Sequence, residues 1–156
     1  VLIGVRDGTE VVVLDQVTGA RMFCFVAKLG YRIGVHCSAP GKAILAFLPD
    51  AERETVLSSI RFVRHNARTL TTRTALQREL DSVVSAGYAF DNSEQFEGVY
   101  CIGAPILDRV GYPVAALWVT GLMMDLDRDR VPQIGAHIRE CAFQVSNRLG
   151  FVSADV

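Results

Sequence analysis

The residues best suited to chemistry lie in the stretch GVHCSAPGKAILAFL, which runs from Gly34 to Leu48. Its first half is small and polar and its second half is apolar, which predicts a tight turn leading into a short buried helix. Ser38 is placed to cap that helix, and Pro40 to occupy its first turn. Backbone N–H groups near Ala39 to Lys42 would then lack partners inside the helix, and such groups attract anions. The stretch predicts a pocket for a small carboxylate, or else a capped core helix that binds only water or a side chain.

A cysteine and a histidine offer a second kind of chemistry. A thiolate nucleophile needs a nearby base and a positive environment, so Cys101 and His36 are a conceivable pair. Cys101, however, lies in an apolar run, where a buried and unreactive thiol is the usual occupant. We expect an unreactive thiol and keep the thiol enzyme as an alternative.

Motifs for metals and cofactors are absent from the sequence. The four cysteines form no CxxC pair, and no histidine stands at the usual spacing of a zinc ligand. The Gly-Lys pair in SAPGKA lacks the first glycine of a phosphate-binding loop, and neither GxSxG nor HExxH occurs. We therefore predict no metal, no cofactor and reduced cysteines.

Two further residues are candidates for a binding site. Asp91 follows a short apolar run, so it is either a hydrogen-bond acceptor aimed into a cavity or the start of an Asx turn before Asn92. Trp118 shares one strand face with Ala116 and Thr120, where an indole lines a pocket or fills the core.

Hydrophobic periodicity predicts the elements that position these residues. Three strands come first, at residues 2–6, 10–17 and 21–27, and Asp7-Gly8 between the first two is typical of a hairpin turn. Helices are predicted next: the short one after Pro40, a second capped by Asp50, and a third that begins at a capping box on Thr74 and ends at Gly87.

The last third of the chain predicts strands and one long helix. The strands are expected at residues 88–91, 99–107 and 112–120, and the helix between Asp127 or Asp129 and Gly150. One apolar stripe of that helix should pack on the sheet, at Val131, Ile134, Ile138, Cys141, Val145 and Leu149. This order predicts an α+β fold in which helices cover an antiparallel sheet.

Length and charge limit the function. The chain has 156 residues, of which 50% are hydrophobic, enough for one domain with a sizeable core. Its net charge of −1 does not favour binding to nucleic acid or to an anionic membrane. No apolar run is long enough to span a bilayer, so we expect a soluble, cytoplasmic protein.

The motifs SAPGKAILAFLP, GYAFDNSEQFEGVYCIGAPI and PVAALWVTG, in this order, resemble the C-terminal effector-binding domain of the IclR family of bacterial transcription regulators. The resemblance covers almost all of residues 1–156. It implies a GAF-like or profilin-like fold, self-association into dimers or tetramers, and DNA binding through an N-terminal winged helix-turn-helix domain that is not among these residues.

The resemblance also implies a set of effector-binding residues. They are Met22, Phe25, Ala39, Pro40, Gly41, Asp91, Cys101, Trp118 and Thr120. In members that sense two- or three-carbon acids, a small hydroxyl residue stands in place of Trp118 and a glycine in place of Ala39. We therefore expect a reduced cavity, or an indole that stacks on an aromatic or otherwise flatter ligand.

The leading hypothesis is a non-enzymatic sensor of a small carboxylate or aromatic acid. The alternatives from other classes are a thiol-dependent hydrolase that uses Cys101 and His36, and a structural oligomerisation module without a ligand.

Overall fold

The computed structural model of the protein describes residues 1–19 and 25–152. Its strands are β1 Leu2–Asp7, β2 Glu10–Gln16, β3 Arg32–Gly34, β4 Ala89–Asn92, β5 Val99–Leu107 and β6 Pro113–Leu122. Its α-helices are α1 Ala39–Phe47, α2 Asp50–Ser59, α3 Arg73–Ala86 and α4 Val131–Arg148. The strands form one sheet in the order β3-β2-β1-β6-β5-β4 with every pair antiparallel. Within these residues no helix combines the length and the apolar character needed to cross a membrane.

The sheet separates two hydrophobic clusters. The larger cluster joins the sheet to α1, α2 and α3, and the smaller one joins its other face to α4. Along β6 the side chains alternate between the faces: Trp118 packs into the larger cluster, whereas Leu117 and Val119 pack against the smaller one. The α+β class with an antiparallel sheet flanked by helices, as in GAF-like and profilin-like domains, is confirmed.

Local turn signals were reliable. Asp7 pairs with Glu10 across a two-residue loop, in which Gly8 has φ +62°, so the predicted hairpin of β1 and β2 is confirmed. The hairpin of β5 and β6 is confirmed as well, and Asp108 shapes its turn by accepting hydrogen bonds from the N–H groups of Val110 and Tyr112.

The predicted third strand at residues 21–27 is corrected for residues 25–27. Residues 21–24 lie outside the described part of the chain, and residues 25–28 have no regular secondary structure. The edge of β2 is paired instead by Arg32–Gly34, while the Gln16 side chain bonds the carbonyl of Phe25 and the N–H of Ala27. A side chain thus replaces a backbone ladder in holding this segment to the sheet.

Two predicted helix caps are also wrong. The side chain that caps α3 belongs to Thr72, which accepts from the N–H of Ala75, so Thr74 lies inside the helix. Helix α2 has Pro49 at its cap position without a side-chain hydrogen bond, and Asp50 pairs with Arg53 at 2.5 Å. In both cases a neighbouring residue with suitable backbone angles starts the helix.

The buried stripe of α4 differs from the predicted one. It consists of Gly135, Ile138, Ala142 and Ser146, whereas Val145 and Leu149 are exposed. Gly135 allows α4 to pack closely against Tyr88, since a Cβ at this position would lie 2.5 Å from the ring of Tyr88. Small residues therefore decide which side of α4 faces the sheet.

Gly41 explains how closely α1 packs on the segment before it. A Cβ at Gly41 would lie 2.4 Å from Cα and 2.6 Å from the carbonyl oxygen of Val35, and this backbone cannot move aside easily. Helix propensity favours alanine over glycine by about 1 kcal/mol, but overpacking costs about 1–3 kcal/mol or more.

We predict that Gly41→Ala lowers the free energy of unfolding, because the clash with Val35 exceeds the gain in helix propensity. The measurement is urea unfolding of the variant and of a matched control, Gly19→Ala, whose Cβ meets nothing within 4 Å. Equal stability of the two variants would contradict the packing argument.

Candidate functional site

A small cavity lies between the start of α1 and the β5–β6 hairpin. Its volume is about 20 Å³, room for about one water molecule. It is lined by Leu2, Phe25, Ala27, Tyr31, Ile33, Ser38, Pro40, Asp91, Gln95, Phe96, Val99, Cys101, Trp118 and Thr120. The pocket is therefore nearly closed, with mostly apolar walls and a few polar groups.

Three polar side chains form a row across the sheet at one end of this cavity. Cys101 on β5 is paired in register with Asp91 on β4 and with Thr120 on β6. The Cys101 thiol lies 3.3 Å from the Thr120 hydroxyl, and Oδ1 of Asp91 accepts a hydrogen bond of 2.7 Å from the N–H of Glu94. Antiparallel register alone thus brings together residues from three separate sequence segments.

The row is only partly ionised at neutral pH, because Asp91 titrates there and Cys101 stays protonated. Burial, followed by the nearby charge of Glu94, raises the pKa of Asp91 to about 7. Burial also raises the pKa of the Cys101 thiol well above its ordinary value, so this thiol stays protonated. The polar end of the cavity can therefore donate hydrogen bonds as well as accept them.

Aromatic side chains form the other walls. Trp118 is 1% exposed, and two glycines make room for it: a Cβ at Gly4 or Gly103 would lie 3.1 Å or 3.0 Å from Trp118 atoms. At the rim, the rings of Phe25 and Phe96 have centroids 5.9 Å apart, and Phe96 is 38% exposed. The cavity thus has a rigid indole floor and a partly exposed aromatic rim.

The helix start offers fewer free amides than the sequence suggested. The predicted cap is confirmed, because Ser38 Oγ accepts from the N–H of Gly41 at 3.3 Å. The N–H of Lys42 donates to the Ser38 carbonyl at 3.0 Å, and Pro40 has no N–H. Of the amides expected to bind an anion, that of Ala39 remains, and Ala39 lies in the core rather than on the cavity wall.

A buried ion network lies beside the pocket, and the sequence analysis missed it. Lys42 is completely buried, and its ammonium donates to Glu94 at 2.6 Å, to Glu79 at 2.8 Å and to the Phe90 carbonyl at 2.6 Å. Burial opposes this charge, but the two carboxylates raise the pKa of Lys42 above its ordinary value. One signal was available: a lysine in an otherwise apolar buried helix requires an acidic partner.

The structure brings most of the predicted effector-binding residues together. Phe25, Pro40, Asp91, Cys101, Trp118 and Thr120 line the cavity. Ala39 and Gly41 lie behind it in the packing of α1, and Met22 is outside the described residues. Their role in binding stays a prediction, and Tyr31, Gln95 and Phe96 are lining residues that the sequence did not reveal.

The Cys101 and His36 pair of the hydrolase alternative is not formed. Cys101 contacts Thr120 in the cavity, whereas Nε2 of His36 hydrogen bonds to the Val63 carbonyl at 3.1 Å and His36 lines a different cleft. A base beside the thiol, which nucleophilic catalysis requires, is not provided by His36.

The structure combines an antiparallel sheet covered by helices with a small, mostly apolar cavity beside the start of α1. Residues 1–147 match the family model described as bacterial transcriptional regulator IclR C-terminal. The chain therefore belongs to the IclR family and is the effector-binding domain of a transcription regulator, a non-enzymatic role.

Known proteins agree with this assignment. The transcriptional repressor AllR of Klebsiella pneumoniae is 35% identical over 148 residues, which cover 95% of this chain and 54% of AllR. The crystal structure of Thermotoga maritima IclR superposes with a TM-score of 0.90 at 33% identity, covering 96% of this chain and 61% of that one. A PobR inducer-binding domain from Acinetobacter, solved with 3-hydroxybenzoic acid, shares the fold with a TM-score of 0.82 at 24% identity, covering 94% of this chain and 87% of that one. The chain spans 54% to 59% of the length of the first curated relatives.

We predict that Lys42→Met destabilises the domain by about 3–5 kcal/mol, because it leaves Glu94 buried without a counter-charge. The matched control is Arg73→Met, which breaks an exposed ion pair with Glu54 and should cost less than about 1 kcal/mol. Urea unfolding of both variants measures the difference. Equal losses would show that the buried network does not stabilise the fold.

A second prediction concerns pH. The folded-state pKa of Asp91 is about 7, above its ordinary value of 3.8, so the folded state binds this proton more tightly than the unfolded state does. Ionisation of Asp91 is therefore easier in the unfolded state, and it lowers the free energy of unfolding of the wild type as pH rises from about 4 to about 7. We expect Asp91→Asn to gain stability relative to wild type over that interval in urea unfolding at several pH values, with a constant difference above about pH 8. A difference that shrinks as pH rises would overturn the assignment.

Proposed function

We propose that this domain senses a small, flat organic acid, with an aromatic acid as the leading case. The observation that carries the proposal is the cavity itself, which has the row of Asp91, Cys101 and Thr120 at one end and the Trp118 indole as its floor. Aromatic rings stack offset on an indole, and such contacts contribute about 0.5–1.5 kcal/mol beyond the burial of area.

The polar groups favour a ligand with a single negative charge. Among the described lining residues there is no cationic side chain, and Lys42 behind the wall is already paired with two carboxylates. The donors available to a carboxylate are neutral, and they include the Thr120 hydroxyl and the Gln95 amide. A hydroxyl on the ligand would meet Asp91, so a hydroxylated monoacid matches the site best.

Ligand entry requires the cavity to open. A volume of about 20 Å³ holds no organic acid, so the bound state must differ from the closed state seen here. Phe25 and Phe96 meet at the rim, and moving their rings apart would widen the cavity without disturbing the sheet. A ligand that binds only the open state shifts the equilibrium toward it.

In the full-length regulator, we propose that this shift changes DNA affinity. The DNA-binding part would be a winged helix-turn-helix domain outside residues 1–156, and the regulator would act in the cytoplasm as a dimer or tetramer. Repression is the favoured direction, since AllR is named a repressor. Coupling requires that DNA and the effector prefer different arrangements of the protein.

The experiment is a thermal-shift screen followed by calorimetry on purified protein. The screen compares four kinds of compound with benzoate as the reference. Acetate lacks the ring, benzyl alcohol lacks the negative charge, and hydroxybenzoates, including 3-hydroxybenzoate, add a hydroxyl group. We expect aromatic monoacids to raise the melting temperature, because a ligand specific to the native state stabilises it. Thr120→Val should weaken binding by about tenfold, the loss of roughly one hydrogen bond.

The control is Thr55→Val, which removes an exposed hydroxyl on α2 far from the cavity lining and should bind like wild type. In the full-length protein, the same acid should change the affinity for operator DNA, and Thr120→Val should require about tenfold more acid. If no acid stabilises the domain, the sensing proposal fails and the structural oligomerisation module is favoured.

A further inference from the structure

Three residues with metal-binding side chains converge outside the cavity that is proposed above to bind the effector, called the effector cavity below. The ligand atoms of His36, Cys37 and His65 all lie within 4.8 Å of one another. His36 and Cys37 are buried between β3 and α1, and His65 is exposed on the connection between α2 and α3. None of the three lines the effector cavity, so the cluster needs an explanation of its own.

The imidazole of His36 is oriented as in a metal site. Its Nε2 lies 3.1 Å from the Val63 carbonyl, so Nε2 carries the proton and donates it to that oxygen. Nδ1 is then left with a free lone pair. Metal-binding histidines almost always have their second nitrogen held in this way, which fixes the tautomer and the ring.

Gly34 shows that Nδ1 of His36 and the thiol of Cys37 face the same point. A Cβ at Gly34 would lie 3.1 Å from Sγ of Cys37 and 3.3 Å from Nδ1 of His36. Both donor atoms therefore converge above the glycine. The ring of His65 is nearly parallel to that of His36, with centroids 6.3 Å apart, and completes the cluster from the solvent side.

We propose that His36, Cys37 and His65 bind a zinc ion. A thiolate and two imidazoles are a donor set that Zn²⁺ prefers, and tetrahedral coordination places donor atoms about 3.3–3.6 Å apart. A shift of roughly 1.2–1.5 Å by the exposed His65 loop closes a spacing of up to 4.8 Å to that value. On binding, Cys37 forms the Zn–S bond and releases its proton to solvent, while both histidines coordinate as neutral ligands.

The fourth coordination position faces solvent. His36 and His65 line a cleft of about 380 Å³, to which Arg61 and Gln95 also contribute. Water or a small anion from this cleft would complete the coordination. Gln95 Oε1 lies 3.8 Å from Sγ of Cys37, and Gln95 also lines the effector cavity, so the ion would lie directly behind the wall of that cavity.

The test uses the full chain after treatment with a chelator. Its titration with Zn²⁺ is monitored by calorimetry, and its titration with Co²⁺ is monitored by absorption spectroscopy. We expect one ion per chain and, with Co²⁺, the bands of tetrahedral coordination with a thiolate ligand. His65→Ala should weaken Zn²⁺ binding by at least about tenfold without unfolding the protein, since His65 is exposed. Cys37→Ser should remove the thiolate band.

The matched control lies on α4, where Sγ of Cys141 is 3.9 Å from Nε2 of His137 one turn away. His137→Ala should leave Zn²⁺ affinity unchanged, because a two-residue surface pair lacks the third ligand. The proposal is overturned if His65→Ala binds Zn²⁺ like wild type, if His137→Ala abolishes binding, or if the folded wild-type chain binds no Zn²⁺. These outcomes are independent of any organic effector.

Discussion

The charge of Lys42 is the constraint on which the site depends. An ammonium group that is completely buried must be surrounded by acceptors, since an unpaired charge in the interior costs several kcal/mol. Its three partners come from α3, from β4 and from the segment after β4, so one side chain fixes the distances among these elements and α1. Because the N–H of Glu94 is the group that Asp91 accepts from, the same network also positions the polar end of the cavity.

The segment that carries Glu94 leads into a residue that lines two cavities. Ser93 has φ +61°, the single positive φ of a non-glycine residue in the part of the chain that the structure describes. Such a conformation persists only where the surroundings hold it, and here Lys42 holds Glu94 while the Asn66 side chain bonds the Ser93 carbonyl. The next residue, Gln95, lines both cavities. The strained residue thus lies close to Gln95, where a small displacement would change the lining of both cavities.

Sequence reasoning succeeded mostly where a structure is determined locally, although the caps of α2 and α3 were each misplaced. The Asp-Gly turn, the Ser38 cap and the β5–β6 hairpin each depend on neighbouring residues, and each was predicted. It failed where a partner is distant. Strand β3 has three residues and little pattern of its own, and it exists because β2 offers an open edge.

The candidate site shows the same division. The sequence and the family resemblance indicated Asp91, Cys101 and Thr120 one by one, but only the strand register shows that they are neighbours. The two carboxylate partners of Lys42 lie 37 and 52 residues away in the chain, beyond the reach of any local signal. The convergence of His36 and Cys37 with His65 could not be predicted from the sequence either. It depends on how the loop after α2 folds back.

A nearly closed cavity fits the proposed sensing role. Under that proposal the ligand binds only the open state, so binding would shift the equilibrium between closed and open molecules. If the closed state dominates, the apparent affinity is reduced to the extent that few molecules are open, and under the proposal the effector would raise that open fraction. Trp118 packs closely beside Gly4 and Gly103, so in the proposed opening the opposite wall would be the one to move. Phe25 and Phe96 are in contact in that wall. Gln95, which also lines it, follows Glu94 in the chain, and the bond of Glu94 with Lys42 would carry the proposed opening to α1 and α3.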